Sequence, residues 1–427
     1  MNTTTSNYLD QYDAAADADK FPMVRRWIDT EPLPFFKELR EKRPILVTPQ
    51  CTLLTRFDDI REVLIMPKVF TVAPYVPKME NFMMAHDDDA LHTREKSLME
   101  CMLNRDDLPV VRSMVASISN EILDSANGII DVVNQYCRVV PATLVQQYFG
   151  LTGAKQHDLI EWSYWNQYDT FHNQPFDLLS PEKSQYIIDR HAETSNELVK
   201  FISELITRRI QEVTSEGSPQ STSVGLDDDI VLRMLRTVCP KELDFDIKRL
   251  GINAGGLLIG TIETTSQAVS QVLQYLLEYP EWLTKAVSAA QKVDPTEFDG
   301  IVWEALRFVP ITTYLFRTAA NDYTAAKGTD HETVLRAGTY ILPVTLSAMF
   351  DERAFESPEE FIPDRNWYHY FHFGFGSHEC LGRYVGMVMI PEMVRQVLIR
   401  PEIQAGNRID YESGPFPEQY DLFWSTA

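Results

Sequence analysis

The chain has 427 residues, 44% of them hydrophobic, so it is long enough and apolar enough to bury a large core. Its 39 lysines and arginines stand against 62 aspartates and glutamates. The resulting net charge of −23 argues against a nucleic-acid partner, because phosphate binding needs a basic surface. The five cysteines are scattered without a CxxC pair, which is typical of a reducing compartment.

The chain begins with a polar and acidic segment. Residues 1–20 read MNTTTSNYLDQYDAAADADK, and we interpret them as a polar tail that is neither a signal peptide nor a membrane anchor. No later apolar run reaches the ~20 residues that a membrane span needs. The sequence therefore predicts a cytoplasmic protein without a membrane anchor.

Helical periodicity dominates the rest of the chain. Apolar residues at three-to-four spacing predict helices over 114–150, 156–168 and 183–213. Strand-like runs are short and few: residues 45–54, and a hairpin-like zone at 333–342 that includes Gly338. Residues 214–229 are rich in Ser, Gly and Asp, as loops are. We predict a mainly α-helical fold with a small β portion, in a single domain spanning 1–427.

The longest predicted helix covers residues 244–279, and its centre reads NAGGLLIGTIETTSQ. It contains three glycines that each cost roughly 1 kcal/mol relative to alanine in a helix interior: Gly255, Gly256 and Gly260. The Thr264 hydroxyl can bond to the carbonyl of Gly260 and open the helix locally, and Glu263 beside it is a source of protons. A close crossing of two helices explains the glycines equally well, so both interpretations stay open.

The sequence WEALR (303–307) places Glu304 and Arg307 three residues apart, on one face of a helix. The pair alone is uninformative, because exposed ion pairs contribute little to stability. Its apolar neighbours indicate partial burial, which makes a third charged partner desirable. Arg365 in FIPDR is available for this role.

The stretch FHFGFGSHECLG (371–382) sets Cys380 among aromatic residues and glycines. Together with His369, His372 and His378, it has the residue types that bind zinc at short spacing. The alternative is a flat cofactor that approaches the backbone closely and takes one sulfur ligand. The stretch by itself leaves both explanations open.

Three motifs follow one another in a fixed order: GTIETT (260–265), EALR (304–307) and FGFGSHECLG (373–382). In this combination the chain resembles the cytochrome P450 family of haem-thiolate monooxygenases, of the soluble bacterial type, over nearly its whole length. LLTRFDDIREVL (53–64) and HTREK (92–96) are similar to the family's early strand and helix and to its helix at a haem edge. The zinc explanation accounts for neither the glycines nor the distant motifs.

The resemblance implies a cytochrome P450 fold with haem b (iron protoporphyrin IX) between the long central helix and the helix of the cysteine loop. Cys380 is then the axial ligand of the haem iron, and its thiolate pushes electron density onto the metal. Glycines near it let the backbone lie against the porphyrin, since they have no Cβ. The implied haem contacts are Phe373, Gly374, Gly382 and, for the propionates, His92, Lys96, Arg317 and His378.

Two further residue sets follow from the resemblance. Glu263 and Thr264 match the family's acid–alcohol pair, which supplies protons during oxygen activation. Glu304, Arg307 and Arg365 match its structural triad, which supports the fold and haem incorporation. His369 and His372 match no family role, so we assign them to packing or to the surface. The other cysteines are expected to be small buried hydrophobic residues: Cys51, Cys101, Cys137 and Cys239.

The chain departs from the family pattern at several positions. Lys96 stands where arginine is common and lacks the bidentate guanidinium. Thr261 replaces a glycine, which puts the shape of the oxygen pocket in doubt. After the cysteine, Gly386 replaces an alanine, and Met387 and Met389 replace charged residues. These last three positions lie on the helix where electron donors dock.

The substrate pocket is expected to involve the segments around Phe82, the aromatic run 162–176 and residues 311–316. The specific residues predicted to line it are Phe82, Met83, Leu258, Ile259 and Thr313. They are mainly apolar, so we predict a small hydrophobic substrate. The chain is too short to include a reductase, which implies separate ferredoxin and ferredoxin reductase proteins as electron donors to a monomer.

Three functions are compatible with this reading. The first is a monooxygenase that uses O2 and electrons, the second an enzyme that uses or rearranges a hydroperoxide without an electron donor, and the third a non-catalytic haem sensor. The Glu263–Thr264 pair favours the first, since the others need no proton relay. The unusual helix after Cys380 keeps the second open.

Overall fold

Helices make up most of the fold in the computed structural model, which describes residues 7–79, 81–215, 228–237 and 244–426. The α-helices are α1 (Tyr8–Ala14), α2 (Asp17–Thr30), α3 (Pro32–Lys42), α4 (Phe57–Leu64), α5 (Val76–Met79), α6 (Ala90–Met102), α7 (Leu108–Ser125), α8 (Val139–Gln147), α9 (Gln156–His172), α10 (Pro181–Ser215), α11 (Ile230–Thr237), α12 (Ile247–Glu278), α13 (Pro280–Ala290), α14 (Thr296–Phe308), α15 (Thr345–Ala348) and α16 (Arg383–Leu398).

The strands are short. They are β1 (Ile45–Val47), β2 (Cys51–Leu54), β3 (Phe70–Thr71), β4 (Ile129–Asp131), β5 (Arg317–Ala319), β6 (Tyr323–Ala325), β7 (Thr333–Leu335), β8 (Tyr340–Pro343), β9 (Gln404–Ala405) and β10 (Asp421–Phe423). They form a five-stranded sheet in the order β1-β2-β8-β5-β3, a three-stranded sheet β4-β10-β9 and the pair β6-β7. The mainly α-helical prediction with a small β portion is therefore confirmed.

Helix α12 is the central element of the helical part. Its start is capped by Asp246, whose side chain accepts the N–H of Arg249 at 2.8 Å, and Pro280 follows its end. Buried residues occur all around its circumference, as expected for a helix that crosses a core. Helices α8, α9, α10, α14 and α16 contact it, so side chains from distant parts of the sequence meet along its length.

The five-stranded sheet forms a second core with the N-terminal helices. Strands β1 and β2 are a hairpin, β2 pairs with β8 in parallel and β8 pairs with β5 in antiparallel orientation. Arg317 begins β5 opposite Ile341 and is buried. The sheet therefore holds this arginine in the interior of the protein.

Two predicted elements differ from the structure. The helix predicted over 114–150 is interrupted, because Asn127 and Gly128 have φ values of 51° and 85°, after which β4 pairs with β10. The hairpin predicted at 333–342 does not form, since β7 pairs with β6 while β8 joins the main sheet. Both errors come from long-range pairing that local patterns do not reveal. Helix α10, with 35 residues, is longer than α12, with 32.

The segment interpreted as a polar tail is helical from Tyr8 onward. Tyr8, Leu9 and Tyr12 are buried, while the acidic residues of α1 face outward. The carboxylate of Glu38 accepts the backbone N–H groups of Tyr8 and Leu9 at 3.0 and 3.3 Å, which caps the start of the helix. Of the loop predicted at 214–229, residues 216–227 lie outside the described part of the chain. Among the helices that are described, none has the length and apolarity to cross a bilayer.

Candidate active site

The loop around Cys380 has a tightly constrained backbone. Gly374 and Gly376 adopt φ values of 72° and 77°, and a Cβ at Gly376 would lie 2.5 Å from the carbonyl oxygen of Leu64. Only glycine fits both the angle and the close approach. The N–H of Cys380 donates to the carbonyl of Phe373 at 2.8 Å, and α16 begins three residues later. The loop thus holds the cysteine in one place before the helix.

The Cys380 thiol is accessible, yet the surrounding protein desolvates it. Burial raises the pKa of the thiol, while the N–H of Gly382 and the charge of Lys96 act in the opposite direction. Burial thus outweighs these two effects, and the thiol without a metal ion favours its protonated form. Binding of a metal ion is the usual way in which such a thiol loses its proton.

Four basic side chains lie in the cysteine loop or beside it. The ring nitrogens of His92 lie 2.9 Å from the carbonyl of Met83 and 3.0 Å from that of Ser377. The Lys96 ammonium donates to the carbonyls of Ser377 and Glu379 at 2.6 and 2.7 Å. The rings of His92 and His378 are 4.4 Å apart between centroids. Together with Arg317, these residues form what we call the basic cluster.

The basic cluster has no carboxylate partner within the part of the chain that the structure describes. Burial, together with the charges of Arg317, His92 and Lys96, lowers the pKa of His378 to about 3. Both ring nitrogens of His378 and the hydroxyl of Ser377 are buried without a hydrogen-bond partner in the described residues. Because unpaired buried polar groups are costly, these residues fit a ligand that carries carboxylates, as the propionates of haem do.

Helix α12 carries polar side chains at the turn around Thr264. The Thr264 hydroxyl donates to the carbonyl of Gly260 at 2.7 Å, as the sequence predicts, and Thr261 donates to that of Leu257 at 2.6 Å. The helix continues without a break through this turn, so the expected local opening is absent. A Cβ at Gly260 would contact nothing within 4 Å, so this face of the helix borders open space.

The carbonyl of Ile259 also accepts side-chain hydrogen bonds from α9. The Ser163 hydroxyl donates to it at 3.1 Å and the Gln167 amide at 2.5 Å. Both residues lie in the run 162–176 that was assigned to the substrate pocket, but their bonds to α12, more than 90 positions away, were not predicted. Side-chain donors therefore bind three carbonyls within one turn of α12.

Glu263 is buried and faces away from solvent. Arg138 donates to its carboxylate through Nε, at 3.0 and 3.2 Å. Burial raises the pKa of Glu263 to about 7, although the Arg138 guanidinium acts to lower it. The pair is therefore a titratable group near neutral pH, placed one residue before Thr264.

Arg138 also connects Glu263 to the surface. Its guanidinium donates to Glu418 at 3.0 Å and to the carbonyl of Pro417 at 3.0 Å, and Tyr164 donates to Glu418 at 2.7 Å. Arg138, Tyr164 and Glu418 line a cavity of about 590 Å³. Sequence analysis did not single out Arg138 or Glu418, since neither belongs to a motif.

The structure brings Glu304, Arg307 and Arg365 together. Arg307 donates to both carboxylate oxygens of Glu304, at 2.7 and 3.0 Å, and Arg365 donates to one of them at 3.1 Å. Glu304 and Arg307 are fully buried. Tyr370, which sequence analysis missed, donates to the same carboxylate at 2.7 Å. This network ties α14 to the segment before the cysteine loop.

Packing explains the residues of α16 that differ from the family pattern. A Cβ at Gly386 would lie 3.0 Å from the ring of Phe373, so the glycine makes room for this aromatic residue of the cysteine loop. Met389 is buried in the helical core and Met387 packs against that core. Met389 is therefore not part of a docking surface, contrary to the expectation for this helix.

The remaining histidines and cysteines behave largely as packing residues. His369 contacts the rings of Phe57 and Phe355, and His372 stacks on Tyr370 and has a pKa that burial lowers to about 3. Within the described residues no cluster of His, Cys, Asp and Glu could hold a zinc ion. Cys51 and Cys137 are buried as expected, whereas Cys101 is exposed and Cys239 lies outside the described residues.

A cavity with a volume of about 920 Å³ lies beside α12. We call it the α10–α12 cavity, because these helices form most of its wall, together with α9 and residues 77–79, 81 and 82. Cys380 and Thr264 are not among its lining residues. Of the residues predicted to contact substrate, Phe82 and Ile259 line it. Thr313 does not, and Met83 and Leu258 are completely buried in the core.

The aromatic run 162–176 is oriented differently from our expectation. Its polar residues Asn166, Asp169 and Thr170 line the cavity. Tyr164, Trp165 and Tyr168 face the opposite side of α9, where two of them contact Phe416. Aromatic content alone does not show which face of a helix points to a pocket.

Phe82 separates the cavity from part of α12. Its ring packs directly on Gly256, where a Cβ would lie 2.1 Å from the nearest ring atom. Phe82 is almost fully buried although it belongs to a loop. The glycine thus creates a slot in the helix that an aromatic side chain fills, which explains one of the glycines noted in the sequence.

The fold and the cysteine loop are those expected for the family that the sequence resembles. The cytochrome P450 family model matches residues 109–405, and the chain belongs to this family. Its curated relatives include a steroid C26-monooxygenase from Mycolicibacterium smegmatis, 25% identical over 73% of this chain and 70% of that protein. Cyclomarin C epoxidase CymV from Salinispora arenicola is 25% identical over 84% of both chains. The protein is a cytochrome P450 monooxygenase.

Solved structures show the same fold. Cytochrome P450 CYP109Q5 from Chondromyces apiculatus superposes with a TM-score of 0.75 at 19% identity, covering 94% of this chain and 97% of the other. The structure of CYP109E1 from Bacillus megaterium in complex with testosterone also has a TM-score of 0.75, at 19% identity, over 96% and 100% of the two chains. The predicted cytochrome P450 fold is confirmed.

Proposed function

We propose that this enzyme binds haem b through Cys380 and inserts one oxygen atom of O2 into a small, mainly hydrophobic organic molecule. Electrons come from separate ferredoxin and ferredoxin reductase proteins. The observation that carries the proposal is the combination of an accessible cysteine with a partly buried basic cluster that has no carboxylate partner in the described residues.

Each residue around the loop has a role in holding the cofactor. Haem, when bound, supplies the redox chemistry that activates dioxygen. Cys380 provides the sulfur ligand, and the propionates complete the hydrogen bonding of His378 and Arg317. Lys96 and His92 are already bonded to carbonyls of the cysteine loop, so they add positive charge and hold the loop in place.

Glu263 and Thr264 take part in proton transfer. A carboxyl with a pKa of about 7 can both release and accept a proton near neutral pH, as a general acid–base group must. Arg138 and Glu418 link Glu263 to the 590 Å³ cavity, which gives it a source of protons from solvent. The Thr264 hydroxyl, beside the open face at Gly260, orients the proton transfer on the other side of the helix.

The α10–α12 cavity supports the substrate class. Its volume of about 920 Å³ lies within the range of small-molecule sites, and its wall is mainly aliphatic. The two relatives described above are a steroid C26-monooxygenase and a cyclomarin C epoxidase, and steroids and cyclomarin C are organic molecules. A substrate larger than a simple gas or ion is therefore favoured.

The hydroperoxide-using alternative loses its main support. It depended on the unusual residues of α16, and the packing of Gly386 against Phe373 and the burial of Met389 account for them without a change of chemistry. The buried Glu263–Arg138 pair favours an enzyme that needs protons during turnover. We therefore carry only the monooxygenase forward.

The test is spectroscopic. Reduced protein treated with carbon monoxide is expected to show the strongly red-shifted Soret band of a thiolate complex, and Cys380→Ser is expected to lose it. Cys101→Ser, which changes an exposed cysteine outside the loop, is the matched control and keeps the band. Absence of the band in the wild-type protein, or its persistence in Cys380→Ser, contradicts the proposal.

A further inference from the structure

The α10–α12 cavity has two chemically distinct surfaces. Most of its wall is aliphatic and is formed by residues of α10 and α12, among them Leu198, Ile202, Ile206, Ile252 and Ile259. A polar group lies where residues 77–82 meet α9 and α10, and it comprises Lys78, Asn166, Asp169, His191 and Ser195. A molecule that fills the cavity would have a long apolar part and a polar group at one place.

His191 is held in a defined orientation by Asp169. Its Nδ1 lies 2.7 Å from one carboxylate oxygen, and the other oxygen accepts Lys78 Nζ at 2.9 Å and the Asn173 amide at 2.7 Å. Burial raises the pKa of Asp169, but the hydrogen bonds from His191, Lys78 and Asn173 outweigh it and lower the value to about 2. Asp169 is therefore an ionised carboxylate whose charge Lys78 already balances.

This geometry decides which nitrogen of His191 carries the proton. A carboxylate only accepts hydrogen bonds, so Nδ1 must carry the hydrogen that points at Asp169. In the neutral imidazole the second nitrogen, Nε2, then has a free lone pair and acts as an acceptor. No hydrogen bond to Nε2 occurs within residues 7–79, 81–215, 228–237 and 244–426.

Several neighbouring polar groups on the cavity wall are already bonded. The Asn166 amide donates to the carbonyl of Trp162 at 2.8 Å and accepts the Ser195 hydroxyl at 2.8 Å. Farther along α10, Ser203 and Thr207 donate to backbone carbonyls one turn earlier. His191 Nε2 is thus an acceptor that a molecule in the cavity can use, and the carboxylate of Asp169 fixes its orientation.

We propose that His191 Nε2 accepts a hydrogen bond from a hydroxyl group of the substrate, an elongated and mainly aliphatic alcohol whose carbon skeleton lies along α10 and α12. His191 then determines specificity by fixing one end of the molecule. A carboxylate substrate is disfavoured, because it has no hydrogen to donate and would lie beside Asp169. The inference rests on the proposed function for its substrate, but binding can be measured without turnover.

The experiment compares two probes that differ in one hydrogen-bond donor. Decan-1-ol can donate to Nε2, whereas decyl methyl ether has the same chain and an oxygen that only accepts. Affinities for the haem-loaded full-length protein are measured by isothermal titration calorimetry at about pH 8, where an ordinary imidazole is neutral. The wild type is expected to bind the alcohol about 3- to 10-fold more tightly, the range of one net hydrogen bond.

Two substitutions separate anchoring from a merely structural role. His191→Asn keeps an amide donor where Nδ1 bonds Asp169 but removes Nε2, so the preference for the alcohol is expected to disappear. His191→Gln loses the bond to Asp169 but places a polar group near the position of Nε2, and it keeps part of the preference. Lys200→Gln, on the exposed side of α10, is the control and behaves as the wild type.

Several outcomes overturn the inference. They are equal affinity of the wild type for both probes, tighter binding of the ether, undetectable binding of both, or an unchanged preference in His191→Asn. Calorimetry measures binding of the probes whether or not the protein shows the carbon monoxide band of a thiolate complex. Failure of the proposed function and failure of the role of His191 can therefore be distinguished. A protein that shows the band but no preference for the alcohol contradicts only the role of His191.

Discussion

Nε of Arg138 lies 3.0 Å from a carboxylate oxygen of Glu263, and both residues are buried. The two belong to different helical segments 125 positions apart, and Arg138 also holds Glu418 at the edge of a cavity. A buried acid next to a buried base can be stable only while both charges have partners. The pKa of Glu263 therefore depends on residues that are far from the oxygen site in sequence.

Two substitutions are predicted to move the pH dependence in opposite directions. If product formation needs protonated Glu263, it falls as pH rises through about 7. Arg138→Gln removes the charge that lowers this pKa, so the fall shifts to higher pH. Glu418→Gln removes a charge that raises it, so the fall shifts to lower pH. Product formed per NADPH, measured from about pH 5.5 to about pH 9, tests this. Shifts in the same direction contradict it.

The raised pKa of Glu263 also affects how the stability of the protein depends on pH. The pKa of Glu263 is raised from its ordinary value of 4.5 to about 7 in the folded protein. Between these values the folded state binds more protons than the unfolded state, so the free energy of unfolding decreases as pH rises. We expect Glu263→Gln to flatten this part of the dependence, measured by urea denaturation. An unchanged slope in the variant argues against a raised pKa.

Thr264→Ala is expected to uncouple the reaction. With a competent redox chain, the variant should still consume NADPH but release hydrogen peroxide in place of product, because the hydroxyl that orients proton transfer is missing. Thr261→Ala is a close control, since Thr261 makes the same kind of bond to the carbonyl four residues earlier. If both variants and the wild type form the same amount of product per NADPH consumed, the proposed role of Thr264 is wrong.

The Glu304 network is predicted to be required for folding with haem. Glu304→Ala or Arg307→Ala leaves the other buried charge unpaired, at a cost of roughly 3–5 kcal/mol, so little haem-loaded soluble protein is expected. Tyr370→Phe removes a single hydrogen bond to the charged carboxylate and should cost about 1.5–3 kcal/mol. Haem content and denaturation midpoints report both effects. Normal haem content and a normal denaturation midpoint in Arg307→Ala would show that folding with haem does not require the Glu304–Arg307 ion pair.

Gly256→Ala is predicted to displace Phe82. The new methyl group would overlap the ring, so the ring must leave its slot on α12 and the shape of the α10–α12 cavity changes. Overpacking of this kind usually costs about 1–3 kcal/mol. In the Phe82→Ala background the overlap is absent, so Gly256→Ala should no longer lower the free energy of unfolding. A double-mutant cycle measures this difference. Additive effects would show that the two residues do not contact each other.

Motifs with short spacing were the predictable part of the site. Glu304 and Arg307 are one helical turn apart, and the bond from Thr264 to Gly260 follows from helix geometry, so the structure reproduces both. The glycines of the cysteine loop were expected to let the backbone approach a porphyrin, whereas the positive φ of Gly374 and Gly376 and the approach of Gly376 to Leu64 were not predicted. The roles assigned to these residues in catalysis and haem binding stay predictions.

Partners that are brought together only by the tertiary fold could not be predicted. Arg138 and Tyr370 have no motif, although each completes the hydrogen bonding of a buried carboxylate. The orientation of α9 was also inaccessible, because its polar and aromatic faces have similar hydrophobicity and long-range packing decides which one meets α12. The hairpin expected at 333–342 failed for the same reason, since β8 finds its partners in distant strands.

Lys78 has a consequence for how the cavity opens. Its ammonium donates to the carbonyls of Asp169 and Asn173 at 2.7 Å each, so a residue of α5 supplies the cap at the C-terminal end of α9. The wall at Val76–Met79 cannot move away without leaving these carbonyls unbonded. A movement of this wall away from the cavity would thus be coupled to fraying of the last turn of α9, and amide hydrogen exchange in that turn would report how often it occurs.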